Sequence, residues 1–399
     1  MALAGLELLE AIRNDEIDRA RALLARHPGV ESVSLRTACA AGDLAAVRAC
    51  LARDTALATH TIPPDHTWPL IYACFTEFKR CRGVSDEDQA QLVRALLDAG
   101  ADANSSFRVG DGEGIIPALY FPSRAGNVAV ARVLLEYGAR PTDGESLYHA
   151  AQHDEREVLQ LFVEHGADVS RGPVEGASTP LYFLASHQVT NPIAPKVVRG
   201  FEWLLDHGAD PTIPLTVIGD GQADWQVGET PLHRAAANGY GVEILAHLMA
   251  CGADVNAERR NGATPYTLAV RSGHAVGAAW LVRNGADRSR VTPTDRLLGA
   301  CLTADADRAR AIVSEYPESV ASLSEVDAGA LLQAIVDDKH DAVRLMLALG
   351  WPLASQSPWG GTALHWAAWH AQPSLVQALI ERGAPVNVRD TRYGSSPIA

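Results

Sequence analysis

His149 and His153, with Asp154 and Glu155 beside the second, are where side-chain type and spacing in this chain first meet a known chemistry. On a helix, a spacing of four sets two imidazoles on one face, as some metal sites do. The surroundings favour packing instead. His149 is followed by Ala150 and Ala151, and no HExxH arrangement occurs. The run Gly110-Asp-Gly-Glu-Gly114 has the glycines of a phosphate cradle, but its neighbours are acidic and no GK[ST] follows. As a calcium loop it would need more carboxylates than Asp111 and Glu113. The six cysteines, at 39, 50, 74, 81, 251 and 301, include no CxxC pair and fit small buried apolar side chains. No local Ser, Cys or carboxylate arrangement marks a nucleophile. The expectation is no catalytic residue, no metal and no cofactor: not an enzyme.

The elements that must position these residues come from internal repetition. Thr230-Pro-Leu-His-Arg-Ala-Ala-Ala-Asn-Gly239 runs into a helical stretch and then Gly252-Ala-Asp-Val-Asn-Ala257. Thr264-Pro-Tyr-Thr-Leu-Ala-Val-Arg-Ser-Gly-His274 repeats the opening 34 residues later and closes with Gly285-Ala-Asp287. A third copy, Thr362-Ala-Leu-His-Trp-Ala-Ala368, ends in Gly383-Ala-Pro-Val-Asn387. A Thr hydroxyl caps the free amides of a first helical turn, and Pro after it gives up a donor that had no partner. Paired alanines let two helices approach closely, while Leu96-Leu97, Leu134-Leu135 and Leu204-Leu205 supply the apolar seam of the second helix. Gly after that helix takes the left-handed cap conformation, and Asn261-Gly262 is a tight-turn signal.

These units resemble the ankyrin repeat, over nearly the whole chain. Clear or partial copies begin near Trp68, Pro117, Glu145, Thr179, Thr230, Thr264 and Thr362, with degenerate ones near Leu6, Val33, Asp295 and Gly329. The resemblance implies an all-α solenoid of about eleven stacked helix–turn–helix units with short β-hairpin fingers. A single solenoid over 1–399 is expected, with degenerate units at 1–66 and clearer units with long insertions at 67–290. Divergent units follow at 291–361, and a clear unit plus the start of a truncated one at 362–399. The copies at Leu6, Val33 and Asp295 lack the Gly-Ala-Asp ending, so helix pairs without standard fingers are expected there. Their divergence resembles bacterial ankyrin proteins, and the opening of a further repeat at Gly394 suggests a fragment or an incomplete last unit. The resemblance also implies that His233 and His365 hydrogen-bond backbone between units and are not bases.

Four segments interrupt the array: Lys79–Gln89, Asn104–Ile116, His187–Gly200 and Pro211–Gly228. Each is expected as a loop or lengthened finger, and Trp225 in the last is a candidate exposed anchor. Arg108 lies in the second. In this architecture finger tips and first helices build the concave surface. The exposed positions on it are Gln152, His153, His187, Ala237, Asn238, Arg260, Arg271, Ser272, Trp359, Trp369 and His370. Trp and Arg at such positions favour interface hot spots.

Acidic residues outnumber basic ones 48 to 34, a formal charge of −14. That balance lacks the footprint of nucleic-acid binding and favours a protein partner with a basic surface. No basic-then-apolar leader and no membrane-length apolar run are visible, so a cytoplasmic, monomeric protein with no membrane contact is expected. The function expected is a non-enzymatic protein–protein interaction scaffold. Two alternatives stand beside it: an inhibitor or immunity protein that neutralises a basic toxin or enzyme, and a metal-dependent enzyme built on His149, His153 and Asp154.

Overall fold

A computed structural model describes residues 1–14, 16–61, 67–109, 114–172, 176–187, 194–217 and 224–397. They fall into two compact units, 1–210 and 211–399. Unit 1 holds α1 (Ala2–Arg13), α2 (Ile17–Arg26), α3 (Leu35–Ala41), α4 (Leu44–Arg53), α5 (Pro69–Cys74), α6 (Glu77–Cys81) and α7 (Asp86–Asp98). A hairpin follows, β1 (Ser106–Val109) and β2 (Gly114–Pro117), antiparallel with Phe107 opposite Ile116. Then come α8 (Tyr120–Arg124), α9 (Val128–Glu136), α10 (Ser146–Gln152), α11 (Arg156–Glu164), α12 (Pro180–Ala185) and α13 (Ala194–Asp206).

Unit 2 holds α14 (Pro231–Ala237), α15 (Val242–Ala250), α16 (Pro265–Arg271), α17 (Ala275–Arg283), α18 (Pro293–Leu302) and α19 (Ala306–Glu315). It ends with α20 (Glu325–Ala328), α21 (Ala330–Val336), α22 (His340–Ala348), α23 (Ala363–Trp369) and α24 (Pro373–Glu381).

In both units consecutive helices pack as pairs, most with the shorter helix first, and first helices of successive pairs pack side by side. The sequence dictates this locally. Thr179 and Thr264 hydroxyls accept from the amides of Tyr182 and Thr267 at 3.1 and 3.2 Å, and Pro follows each cap. Ala150, Ala151, Ala235 and Ala236 are buried where the helices meet. Gly252 and Gly285 take φ of 106° and 96° after their helices, a conformation that costs other residues energy. Pairs also form where the Gly-Ala-Asp ending is missing: α1 with α2, α3 with α4, and α18 with α19.

A polar staple recurs between successive pairs. The side-chain amide of Asn256 donates to the carbonyl of Gly285 at 3.0 Å and its oxygen accepts from Asp287 N at 2.8 Å. Asn104 does the same to Gly138 and Arg140. Ser170 takes that place against Gly208 and Asp210.

One interruption is not a loop. Lys79–Gln89 holds the end of α6 and opens α7, whose N-cap Ser85 accepts from Asp88 N at 3.0 Å. Lys79 is fully buried and donates to the carbonyls of Tyr72 and Phe75 at 2.7 and 2.8 Å. The lysine stem fills the interior while its head satisfies the carbonyls freed where α5 stops, which periodicity cannot reveal. The Asn104–Ile116 finger forms as β1–β2, with residues 110–113 outside the described ones. Of His187–Gly200, residues 188–193 are outside, and α13 begins at Ala194. In Pro211–Gly228, residues 218–223 are outside; Leu215 N donates to Glu229 O at 2.8 Å and Gly228 N to Leu215 O at 2.7 Å.

Candidate partner-binding surfaces

The opening histidines serve the fold. Nδ1 of buried His233 accepts from Thr230 N at 3.1 Å, which leaves the proton on Nε2 to donate to Ala263 O at 3.1 Å. His365 repeats this with Thr362 N and Ser395 O at 3.1 and 3.2 Å. Burial holds the His233 imidazole down to about 4, with Arg259 adding to the effect. It is a neutral strut, not a base.

In unit 1 a row of half-buried rings runs along the short helices. Phe75, just past α5, meets Phe121 of α8 at 4.2 Å between centroids, and Phe107 of β1 stacks on Phe121 at 6.0 Å. Tyr120 meets His149 of α10 edge-on at 4.8 Å, His149 meets Phe183 of α12 at 5.4 Å, and Phe183 meets His187 at 5.0 Å. Phe75, Phe107, Tyr120 and Phe121 line a 310 Å³ hollow with Glu77 and Arg124 at its edge. A chain of side-chain hydrogen bonds runs beneath. His149 Nδ1 donates to Gln152 Oε1 at 2.6 Å, and Gln152 Nε2 donates to His187 Nε2 at 2.6 Å. His187 Nδ1 then points at Phe183 O, 3.1 Å away.

The predicted residues sort accordingly. Gln152, expected exposed, is buried because it bridges two imidazoles on successive units. His153 caps α10, half-buried, its pKa pushed down to about 4 by burial first and then by Arg124 and Lys196. His149 and His153 do not assemble a metal site, and among the described residues no group of three His, Cys, Asp or Glu does. Arg108 is exposed on β1. The side chain of Trp225 lies outside the described residues.

In unit 2, Arg271, expected on an open surface, is mostly buried. It donates to Asp295 at 2.7 Å and to Asp327, tying α16 to α18 and α20. Arg260 is exposed and pairs with Asp224. Ala237, Asn238 and Ser272 are half-buried at their helix ends.

The other three predicted residues come together. Trp369 is 71% exposed and stacks on Tyr393 at 6.2 Å with planes 15° apart. Trp359 sits edge-on to Trp366 at 4.7 Å, and His370 stacks on Trp366 at 5.8 Å. Trp359, His365, Trp366, Trp369, Asp390 and Tyr393 border a 470 Å³ concavity. Asp390 accepts from the amides of Arg392, Tyr393 and Ser395 at 2.9, 2.6 and 3.0 Å. Those bonds, the Tyr393 amide foremost, hold its carboxyl below the usual range.

Residues 194–292 and 309–390 match the family model described as Ankyrin repeats, in three copies. Those stretches of the chain carry ankyrin repeats. An E3 ubiquitin-protein ligase, KEG of Arabidopsis thaliana, is 25% identical over 327 residues, 77% of this chain and 18% of that protein. Ankyrin repeat and SOCS box protein 6 of Homo sapiens is 30% identical over 246 residues, 55% of this chain and 53% of that protein. The chain thus spans about half, or less, of the length of these relatives. Among solved structures, the human ASB11 ankyrin repeat domain superposes with a TM-score of 0.46 at 24% identity, covering 63% of this chain and 98% of that one.

Sequence reasoning missed Phe75, Tyr120, Phe121 and Phe183. A signal was present: aromatics are only 6% of the chain, yet one follows the opening of each of four successive units. No helix among the described residues is long and apolar enough to cross a membrane.

Proposed function

We propose that this chain is a non-enzymatic scaffold whose repeats bind another protein, with Trp359 and Trp369 as central anchors and His370 beside them. Ankyrin repeats generally mediate protein–protein interaction. The observation that carries the finer reading is the exposed Trp369 at the edge of an aromatic concavity. An indole left in water gains nothing for folding, whereas a partner that desolvates it gains on the order of 2 kcal/mol or more. In unit 1 the same role falls to the ring row with His153, His187 and Arg108, and in unit 2 to Arg260 and Asn238. Gln152 and Arg271 act from beneath, by positioning His187 and α16.

The test is quantitative co-purification with mass spectrometry, comparing wild type with a Trp359→Ala/Trp369→Ala variant whose melting temperature is checked first. Loss of a defined partner from the folded variant is the expected result. An identical partner set in both refutes this face.

The partner's own surface is basic, on the strength of the −14 charge. Association slows steeply with added salt on that reading, and a flat response removes it. An inhibitor of a basic toxin or enzyme is the special case in which the bound partner is thereby inactivated. Six unpaired thiols fit a reducing compartment, the cytoplasm.

A further inference from the structure

A cleft of 720 Å³ opens in unit 2 between α17 and the α18–α19 pair. Two glycines line it. A methyl group on Gly299 would stand 2.1 Å from Val270 O, and one on Gly273 would stand 3.0 Å from Gly299 O. The backbones of α16 and α18 therefore touch, while the outer helices α17 and α19 make little contact. Val270, Ala278 and Val282 line the apolar part of the opening.

Its charged lining is unusual for this chain. Arg283, Arg288, Arg296 and Arg308 all border the cleft. Among the described residues none of their guanidinium groups has an ion-pair partner, although the chain has fourteen more acids than bases (48 against 34). Neighbouring arginines outside the cleft are paired, Arg290 with Glu258 at 2.6 Å and Arg310 with Asp307 at 3.7 Å. The single carboxylate on the lining, Asp305, caps α19 by accepting from Arg308 N at 3.1 Å. Arg296 lies with its guanidinium carbon 5.9 Å from the Tyr316 ring centre, and its Nε–H is buried with no acceptor.

Arg283, Arg288 and Arg308 are exposed at the rim and Arg296 is half-buried, so an anion in the cleft would meet guanidinium groups that no carboxylate pairs. Guanidinium forks match phosphate oxygens in pairs. Four positive charges against one negative call for a ligand with several negative charges, and the volume is that of a small-molecule site. We infer that this cleft binds a small ligand carrying two or more phosphate groups. The site is separate from the aromatic concavity, and its fate does not depend on the protein-binding reading.

The test is titration calorimetry of the full chain with inorganic tripolyphosphate at physiological ionic strength, beside a sulfate arm matched in ionic strength. One site per chain is expected. Arg296→Gln and Arg288→Gln should each weaken it by roughly tenfold to a hundredfold, the worth of a charged hydrogen bond. Arg310→Gln, outside the cleft, should leave it unchanged. Circular dichroism melts confirm that each variant is folded. Arg283→Gln, at the exposed end of α17, provides a cleft variant that leaves the interior untouched if Arg296→Gln fails to fold. Absence of heat, full competition by sulfate, or equal weakening by Arg310→Gln would overturn the inference. So would tighter binding of a short RNA or a doubly phosphorylated peptide than of tripolyphosphate at equal phosphate concentration.

Discussion

Replacing Arg271 by methionine leaves two carboxylates facing each other inside unit 2. Arg271 is 24% exposed, against 6% for Asp295 and 17% for Asp327. The substitution deletes two charge-assisted hydrogen bonds, each on the order of 1.5–3 kcal/mol. Asp295 cannot swing away, because its second oxygen accepts from Thr292 N and Oγ1, both at 2.7 Å, and so caps α18. Removing one partner of a buried ion pair costs roughly 3–5 kcal/mol, and the remaining exposure here argues for about 3. An exposed pair gives the contrast. Arg290 and Glu258 are 52% and 45% exposed, so Arg290→Met should cost about 0–1 kcal/mol. Urea unfolding followed by circular dichroism, at constant slope, measures both. Adding Asp295→Asn and Asp327→Asn to Arg271→Met should recover most of the loss, since Asn can still cap. If Arg271→Met costs no more than Arg290→Met, the triad does not hold α16, α18 and α20 together.

Two pH dependences follow from buried groups. His233 is held at about 4 when folded against 6.5 as its ordinary value, so between those values the unfolded chain takes up the proton and the folded one does not. Stability is therefore lost as pH falls from 6.5 toward 4, about 3 kcal/mol of it through His233, and His233→Gln should make that slope shallower in urea titrations while His153, also held down to about 4, keeps its share. Lys79 runs the other way. Burial pushes its ammonium down to about 7 from 10.5, so the unfolded chain binds more protons above pH 7 and stability rises with pH there. The clean window is about pH 7 to 8.5, below the ionisation of unfolded cysteines, and the gain is roughly 2 kcal/mol. Lys79→Met should remove the rise; a rise that persists in the variant assigns it to another group.

The legible part of the fold was whatever rests on local chemistry. Thr264-Pro265 read as a capped helix start and formed one, Gly285 read as a left-handed cap and has positive φ, and His233 read as a strut between units and is one. The candidate surface was legible only in part. Trp359 and Trp369 border one concavity, His370 stacks on Trp366 beside it, and Tyr393 completes the group, a grouping that repeat position alone did not give. Gln152 and Arg271 occupy positions of the same kind as Trp369, yet each found a partner on another helix and went inside. Lys79–Gln89 looked like an insertion because a buried lysine breaks the apolar pattern that marks a helix.

By itself the sequence determined the repeating helix pair, its caps and its turns, because those depend on residues within about one helical turn of each other. Tertiary structure alone decided which long polar side chains stay in water. Arg271 and Arg296 are the same residue type on neighbouring short helices, but one meets two carboxylates and the other meets Tyr316 and a cleft. The difference lies in where α18 and α20 bring their acids, and in the close backbone contact of α16 and α18 at Gly273 and Gly299, beside which the cleft opens. Such pairings cross between helices that are distant along the chain, so no local spacing encodes them.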